Sequence, residues 1–415
     1  MTKRIEDYAL IGDCESAALV ARDGSIDWLC WPRFDSGALF AALLGTSENG
    51  HWSVSAAEGA ATRRRYRDGT LILETDFETG SGAVTLIDFM PFHREGPSRL
   101  IRLVQGRSGE VEMVTEFLLR FDYGLIIPWV TRMDCKGLQA TAGPDMVVLH
   151  TNASVMARGY KHCGVFTVRA GETASFVLSY GKSFEPPPPR IDPLQALEAT
   201  EKAWRHWCQR CSSGGPYSQA VQRSLITLKG LTYHPTGGIA AAATTSLPEE
   251  VGGIRNWDYR YCWLRDATFT LLALMNSGYR QEAEQWRTWL RRAVAGSAQQ
   301  VQIVYGLAGE RRLVESTIPW LPGYENSNAG DRDADVEITV YFAERDPAGP
   351  YRLKVPARRT RHVRFNDLKD PEPIPAGTDY SSVIVSSVPV VVQHARLDTR
   401  QDALALLSTI AYPVR

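Results

Sequence analysis

GGIRNWDYRYCWLRDATFTLLALM, Gly252 to Met275, sets two tryptophans, two tyrosines, three arginines and two aspartates directly ahead of an apolar helical run. Burying so many rings beside fixed charges is costly unless each polar tip has a partner. The same mixture suits a sugar pocket. Rings cover the faces of a pyranose, while Arg265 and Asp266 reach its hydroxyls from two sides. A plain core helix needs none of this chemistry, so the stretch predicts a ligand site at the start of a helix.

Helical patterning surrounds it. Asp192 as N-cap and Pro193 at the first position begin a helix expected to reach Cys211. A second is expected over Ser218 to Tyr233, with Val221, Leu225, Leu228 and Leu231 apolar, and His234-Pro-Thr-Gly-Gly238 stops it. Ala240 to Leu247 is a small-residue connector. Asp266 to Ser277 makes the helix of the opening stretch, and Gln281 to Ala295 the next, with Trp286, Trp289 and Leu290 on one side. That gives about four helices, too few to enclose a large helical core. Glu185-Pro-Pro-Pro-Pro-Arg190 marks the clearest boundary, an extended, semi-rigid connector.

Up to about Tyr180 the pattern is β. Thr70 to Thr75, Ala83 to Phe89, Leu100 to Gln105, Val111 to Leu119 and Val165 to Ser179 read as strands, and Asp23-Gly24 and Asp68-Gly69 as tight turns. Many short strands in one run predict an antiparallel sandwich. Asp27, Trp28, Arg33, Phe34 and Asp35 form a second aromatic and charged cluster. It fits equally a sandwich corner with paired charges and a loop reaching over a neighbouring domain's pocket.

The chain has 415 residues, 44% of them hydrophobic and 22% charged, with a net charge of −1. This composition predicts a folded protein of two or three domains, with no global field toward nucleic acid or membrane. No signal-peptide pattern opens the chain and no run is long enough to span a bilayer, so a cytoplasmic location is expected. Seven scattered cysteines fit a reducing compartment. Cys208 and Cys211 form a CxxC without a second pair, so no metal site is expected, and no cofactor.

Ile5–Ser36 (IEDYALIGDCESAALVARDGSIDWLCWPRFDS), Arg120–Gly124 (RFDYG), Pro235–Glu250 (PTGGIAAAATTSLPEE) and Arg255–Ala267 (RNWDYRYCWLRDA) resemble glycoside hydrolase family 15, in its bacterial glucoamylase and trehalase branch. The likeness covers roughly residues 4–327. It implies an N-terminal β-sandwich followed by an (α/α) barrel, and inverting hydrolysis of terminal α-linked glucose. It assigns sugar stacking to Tyr261 and Trp263 and hydroxyl binding to Arg265 and Asp266. An inverting glycosidase needs a protonated and an ionised carboxyl about 6.5–9.5 Å apart. In the family these come from later barrel segments that have no counterpart here. Glu249, Glu250, Glu310, Glu315 and Glu325 receive no catalytic role from the resemblance, and Arg265 is expected to keep Asp266 ionised and engaged. No catalytic residue is therefore assigned, and binding of trehalose or a glucose-terminated oligosaccharide is expected to be weak at most.

After Ser327 the texture changes. Val336 to Tyr341 and Tyr351 to Val355 are period-two strands. Arg361 to Phe365, Ser382 to Val385 and Pro389 to Ala395 continue the pattern, and Gln401 to Ile410 fits a short helix or a final strand. Asn328–Phe342, Gly349–Ile384 and Val388–Pro413 resemble the sensory rhodopsin transducer family. That resemblance implies a small, usually tetrameric β-sandwich that binds a partner, here lacking its first strands. Arg358, Arg359, Arg361, His362 and Arg364 form a basic run, read either as a solvated face or as an anion or partner site. Nucleic-acid binding would want a larger basic excess with interleaved aromatics.

The expected fold is therefore multidomain α+β. A trehalase-like N-terminal β-sandwich occupies 1–184, a Pro-rich linker 185–191, a truncated (α/α) barrel fragment 192–327, and a partial β-sandwich 328–415. The junction near Ser327-Asn328 reads as a gene fusion or deletion. The expected function is that of a glucoamylase- or trehalase-type hydrolase by descent, catalytically incomplete. The competing expectation is an interaction protein that forms a homo-oligomer and binds its partner through the C-terminal segment. Leu271, Leu272, Trp286 and Trp289 are the apolar residues expected to be left exposed on unpartnered helices.

Overall fold

A computed structural model describes the chain except residues 1–2, 93–95, 134–136, 250–254, 297, 327–333, 356–362, 364, 376–377, 388–392, 399–404 and 411–415. It divides into two compact units, Met1–Thr245 with Asp258–Leu321, and Ser246–Trp257 with Pro322–Arg415. The division runs through the opening stretch of the sequence, between Trp257 and Asp258.

The first unit begins with strands Ala9–Gly12 (β1), Ala17–Val20 (β2), Ser25–Cys30 (β3), Ala38–Phe40 (β4) and His51–Ala56 (β5). Ala61–Tyr66 (β6), Leu73–Glu78 (β7), Gly82–Phe89 (β8) and the 20-residue Arg99–Leu118 (β9) follow. Trp129–Met133 (β10), Gly137–Ala142 (β11), Asp145–Thr151 (β12), Met156–Arg158 (β13), Lys161–Arg169 (β14) and Thr173–Lys182 (β15) complete the set. Their pairings are antiparallel, in the main order β1-β2-β3-β5-β9-β15-β12-β11-β10.

β9 belongs to two layers. Its first half pairs with β8 and β15, and its second half with β5 and β14. The layers share one core, in which Trp52 meets Phe117 and Phe176 edge-on at 5.3 and 6.0 Å. The two halves of β9 are buried differently. Val111, Met113, Thr115 and Phe117 alternate with more exposed residues, the pattern of a sheet with one covered face. Leu100 to Val104 are all buried, because Leu197 of the first helix covers the outer face through Ile101 and Leu103.

The passage between layers needs glycine. Gly109 has φ +56°, and a Cβ there would sit 2.0 Å from the Ser81 carbonyl oxygen; at Gly106 a Cβ would meet the Arg169 carbonyl at 1.9 Å. Gly109→Ala is expected to cost roughly 2–4 kcal/mol from left-handed backbone and overpacking together. A urea midpoint unchanged from the parent would contradict this.

Leu100 to Gln105 and Val111 to Leu119, read as separate strands, are both parts of β9, and two other expectations shift. Thr70 to Ile72 form the turn ahead of β7, where Thr70 Oγ1 donates to the Arg67 carbonyl and accepts from the Ile72 N–H. Val165 to Ser179 is two strands, β14 and β15, turning at Gly171 (φ +82°).

Four α-helices lie among the described residues: Pro193–Cys208 (α1), Ser218–Gly230 (α2), Leu264–Asn276 (α3) and Arg280–Ala293 (α4). Asp192 caps α1, accepting from the N–H groups of Leu194 and Gln195 at 2.9 and 3.2 Å, with Pro193 in the first turn. Trp204, Trp207, Leu225, Ile226, Leu274 and Tyr279 pack with Cys14 and Leu71 of the strand region, so helices and strands share a core. Trp207 stacks on Tyr279 at 4.0 Å. Cys208 lies in this core and donates to the Gly69 carbonyl; burial pushes its thiol up to about 11.

The exposed apolar stripe differs from the sequence expectation. Leu271 and Trp289 are buried and Trp286 is half-buried, stacked on Trp289; only Leu272 of the four lies open. Phe269 and Met275 join Leu272, at helical spacing, on the solvent side of α3. Val221, one of the apolar positions read along α2, is also exposed. No helix among the described residues is long and apolar enough to cross a membrane.

In the second unit, Ala334–Phe342 (β18) pairs with Ala348–Val355 (β19) and Tyr380–Ser386 (β20), and Gln393–Asp398 (β21) pairs with Ala405–Ile410 (β22). Two-residue strands Cys262–Trp263 (β16) and Val304–Tyr305 (β17) belong to the first unit. The last segment is thus a final strand rather than a helix. Phe365 opens a short 3₁₀ turn, so it does not continue a strand. The basic run Arg358, Arg359, Arg361, His362 and Arg364 lies outside the described residues, as do the first four residues of the strand expected from Pro389.

Candidate sugar-binding site

β16 and β17 position the site. Cys262 is fully buried on the β17 ladder, and α3 starts one residue after Trp263, so Trp263, Arg265 and Asp266 crowd into one helix entrance. Asp266 is the third helical residue, where the free N–H groups and the dipole of the first turn favour a carboxylate. Arg265 Nη2 donates to Asp266 Oδ2 at 3.1 Å. The pair is open to solvent, with side-chain exposures of 67% and 31%, which leaves donors and acceptors free to turn toward a ligand.

Tyr261 and Trp263 are half-buried beside Asp258. Trp263 Nε1 donates to the Asp258 carbonyl at 3.0 Å, and the Tyr259 ring leans against the indole at 5.6 Å. Burial, then the Asp258 charge, pushes the Tyr261 phenol up. The Tyr261 and Tyr259 carbonyls accept from the N–H groups of Ala241 and Ala242. The small-residue connector therefore runs alongside the aromatic stretch, and Trp28 Nε1 holds it from the other side through the Ala243 carbonyl at 2.8 Å.

Beneath these residues lies a layer of guanidinium–carboxylate pairs. Arg260, only 4% exposed, grips Asp258 through Nε and Nη2 at 3.0 and 2.7 Å. Its Nη1 donates to the Ser36 carbonyl at 2.8 Å, and its guanidinium faces the Tyr123 ring at 5.5 Å. Arg33 forks onto Asp35 at 2.9 and 2.7 Å, reaches Glu310 at 3.0 Å and lies over the Tyr233 ring. Such bidentate pairs fix orientation as well as charge. Although burial pushes Glu310 up, its own backbone N–H and Arg33 hold its carboxyl below the ordinary range.

The N-terminal cluster, which the sequence left divided, serves both descriptions. Asp27 is a corner residue, held by Lys3, Tyr8 and Ser25. Trp28, Arg33 and Phe34 reach the helical part, Phe34 packing with Tyr233, Ala240, Ala243 and Leu307. Sequence reading gave no role to Arg260, Asp258 or Tyr233. Tyr123 belongs to the RFDYG motif; its φ of +58°, beside Asp122 at +49°, marks a turn fixed by its surroundings.

Among the other carboxylates, Glu249 accepts from Arg255 and from Trp257 Nε1, both at 3.2 Å, within the second unit. Glu315 and Glu325 are exposed, and Glu250 lies outside the described residues.

A trehalase-like N-terminal family model matches residues 1–177, and the glycosyl hydrolases family 15 model matches residues 215–335. The Anabaena sensory rhodopsin transducer model matches residues 327–413. The chain carries trehalase-like, family 15 domains at its N-terminal side and a transducer-like domain at its C-terminal side. It is 35% identical over 355 residues to the trehalase of Mycolicibacterium smegmatis and 34% identical over 359 residues to that of Mycobacterium tuberculosis; each alignment covers 78% of this chain and 52% of the relative. The chain thus spans about half the length of the curated relatives it matches, and its ancestry is that of glucoside hydrolases. Among solved structures, an Anabaena sensory rhodopsin transducer is 69% identical over 15% of this chain and 66% of its own, with a TM-score of 0.15.

Proposed function

We propose that the first unit binds a terminal α-linked glucose unit, as in trehalose or maltose, and does not hydrolyse it. The observation that carries this reading is the open Arg265–Asp266 pair at the head of α3, next to the half-buried rings of Tyr261 and Trp263. Trehalase names among the relatives support the ligand class. In this reading Tyr261 and Trp263 stack on the sugar, and Arg265 and Asp266 bind its hydroxyls. Residues 1–184 form a trehalase-like sandwich, 185–191 a connector, 192–327 an arc of an (α/α) barrel, and 328–415 the transducer-like domain.

Proton bookkeeping supports the loss of hydrolysis. Inversion requires a carboxylic acid that donates to the leaving oxygen and a carboxylate that activates water. Asp35, Asp258, Asp266 and Glu310 each already take a guanidinium donor. Calorimetric titration of trehalose into the whole chain is expected to show weak, saturable binding, with no glucose released above background. Arg265→Ala should weaken it about tenfold or more, the size of a lost charged hydrogen bond, and Trp263→Ala should weaken it through the loss of ring contact with the sugar. Enzymatic release of glucose would overturn the loss of catalysis, and full binding by both variants would overturn the site.

A second reading rests on the other unit. Tyr341, Val383 and Val385 are exposed on the β19-β18-β20 sheet, and the transducer match covers this region. Here the transducer-like domain oligomerises and presents a partner surface. Defined tetramers by sedimentation, lost on Val383→Lys/Val385→Lys, would favour it; a strict monomer would remove it.

A further inference from the structure

A cavity of about 230 Å³ opens where the two layers of the first unit part, between the edge strand β10 and the β13–β14 hairpin. Its depth is core. Leu119, Leu138, Val147, Leu149 and Leu178 line it and also belong to the shared hydrophobic cluster. Its mouth is apolar and open, with Ile127 51% and Tyr160 71% exposed. A single fixed charge lies in this lining. Arg120, one of the lining residues, is 6% exposed, and its Nη1 donates to the Leu119 carbonyl at 2.9 Å.

A guanidinium offers five N–H donors, and one buried against aliphatic walls is costly unless an anion meets it. Burial pulls Arg120 below the ordinary arginine value, against the attraction of Glu48 and Tyr160. Glu48 is itself bound to Lys161 at 3.1 Å, and Lys161 also holds Glu116. The remaining polar lining residue with a ring nitrogen, His162, is pushed toward its neutral form by burial and Arg132. The cavity therefore presents one cation at an apolar slot.

We propose that this cleft binds a small amphipathic monocarboxylate, its carboxylate forked by Arg120 and its aliphatic chain laid against Leu138, Val147, Leu149 and Leu178. A planar guanidinium matches a carboxylate in two parallel hydrogen bonds. An apolar cavity of about 150 Å³ holds a ligand of benzene size, so this larger one suits a medium-chain acid such as octanoate. A sugar fits poorly, since leucine and valine walls would leave its hydroxyls without partners. The site is separate from the Arg265–Asp266 pair, so trehalose should not displace its ligand.

The test is titration of sodium octanoate and 1-octanol into the whole chain. One saturable octanoate site is expected, with octanol at least about tenfold weaker, the scale of one charged hydrogen bond. Arg120→Met should erase that preference while keeping octanol binding. Should Arg120→Met fail to fold, Ala140→Leu fills the slot from its apolar side and should abolish binding of both ligands. No saturable octanoate site, equal affinity for the two ligands in the parent chain, or octanoate binding unchanged in either folded variant would overturn the proposal.

Discussion

Arg102→Met is expected to lower the stability of the first unit by about 3–5 kcal/mol, the range for breaking a buried ion pair from one side. Arg102 and Asp88 are both wholly buried, and Arg102 Nε donates to Asp88 Oδ1 at 2.7 Å. Its other nitrogens reach the Trp52 carbonyl at 2.7 Å and the Gly24 carbonyl at 2.5 Å, and the guanidinium faces the Trp52 ring at 5.1 Å. One side chain on β9 therefore binds β8, β5 and the turn after β2. Burial already pushes the Asp88 carboxyl up against the pull of Arg102. Without the arginine, that carboxyl is left protonated, the Trp52 carbonyl loses a donor, and the Gly24 carbonyl keeps only the Val54 N–H. Arg102→Met/Asp88→Leu should recover part of the loss, because two apolar groups leave fewer polar atoms stranded. Denaturant midpoints of the two variants decide the matter; a single variant near the parent would refute it.

Glu282→Leu should cost a similar ~3–5 kcal/mol by the same reasoning. Glu282 is the third residue of α4, its side chain 2% exposed, and three donors converge on Oε1: Trp207 Nε1 at 2.7 Å, Lys229 at 3.2 Å and Arg210 at 3.3 Å. These groups come from α1, α2 and the segment after α1, so one carboxylate joins three helices. Burial opposes its charge, yet Lys229 and Trp207 prevail and its pKa is lowered. The sign follows. A carboxyl depressed on folding adds stability above its unfolded value and loses it as pH falls through the folded one. Glu282→Gln should therefore differ most from the parent near neutral pH and converge with it in acid. A gap that widens on acidification would contradict this assignment.

The sequence and the structure part company at glycines, in opposite directions. Gly106 to Gly109 reads as a turn between two strands, yet β9 runs through it, carrying Arg107 as an extra residue against β8, while the Arg169 and Ser81 carbonyls fill the space a side chain would need. Gly171 lies inside a stretch that reads as one strand, and there the chain reverses. Periodicity reports which face is buried, not which strand lies alongside, and the partner decides between bend and break. The helices were plain, because Asp192, Pro193 and the heptad-like apolar spacing act locally. At the proposed sugar site, the rings and the Arg265–Asp266 pair are neighbours in sequence and legible there. The contacts of Arg260 with Ser36 and of Arg33 with Glu310 span more than two hundred residues, and no local pattern announces them.

The double membership of β9 also bears on how the first unit comes apart. A conventional sandwich can shed one sheet while the other persists, giving amide protons two distinct exchange regimes. Here the central strand of either layer is a half of the same 20 residues, clamped at Arg102. Opening one layer frees the end of the other, so the slowest-exchanging amides of both should report a single opening free energy. Forming that strand also requires ladders distant in sequence on both sides at once, which places the first unit among slow folders, with unpaired edges exposed while β9 waits for its partners.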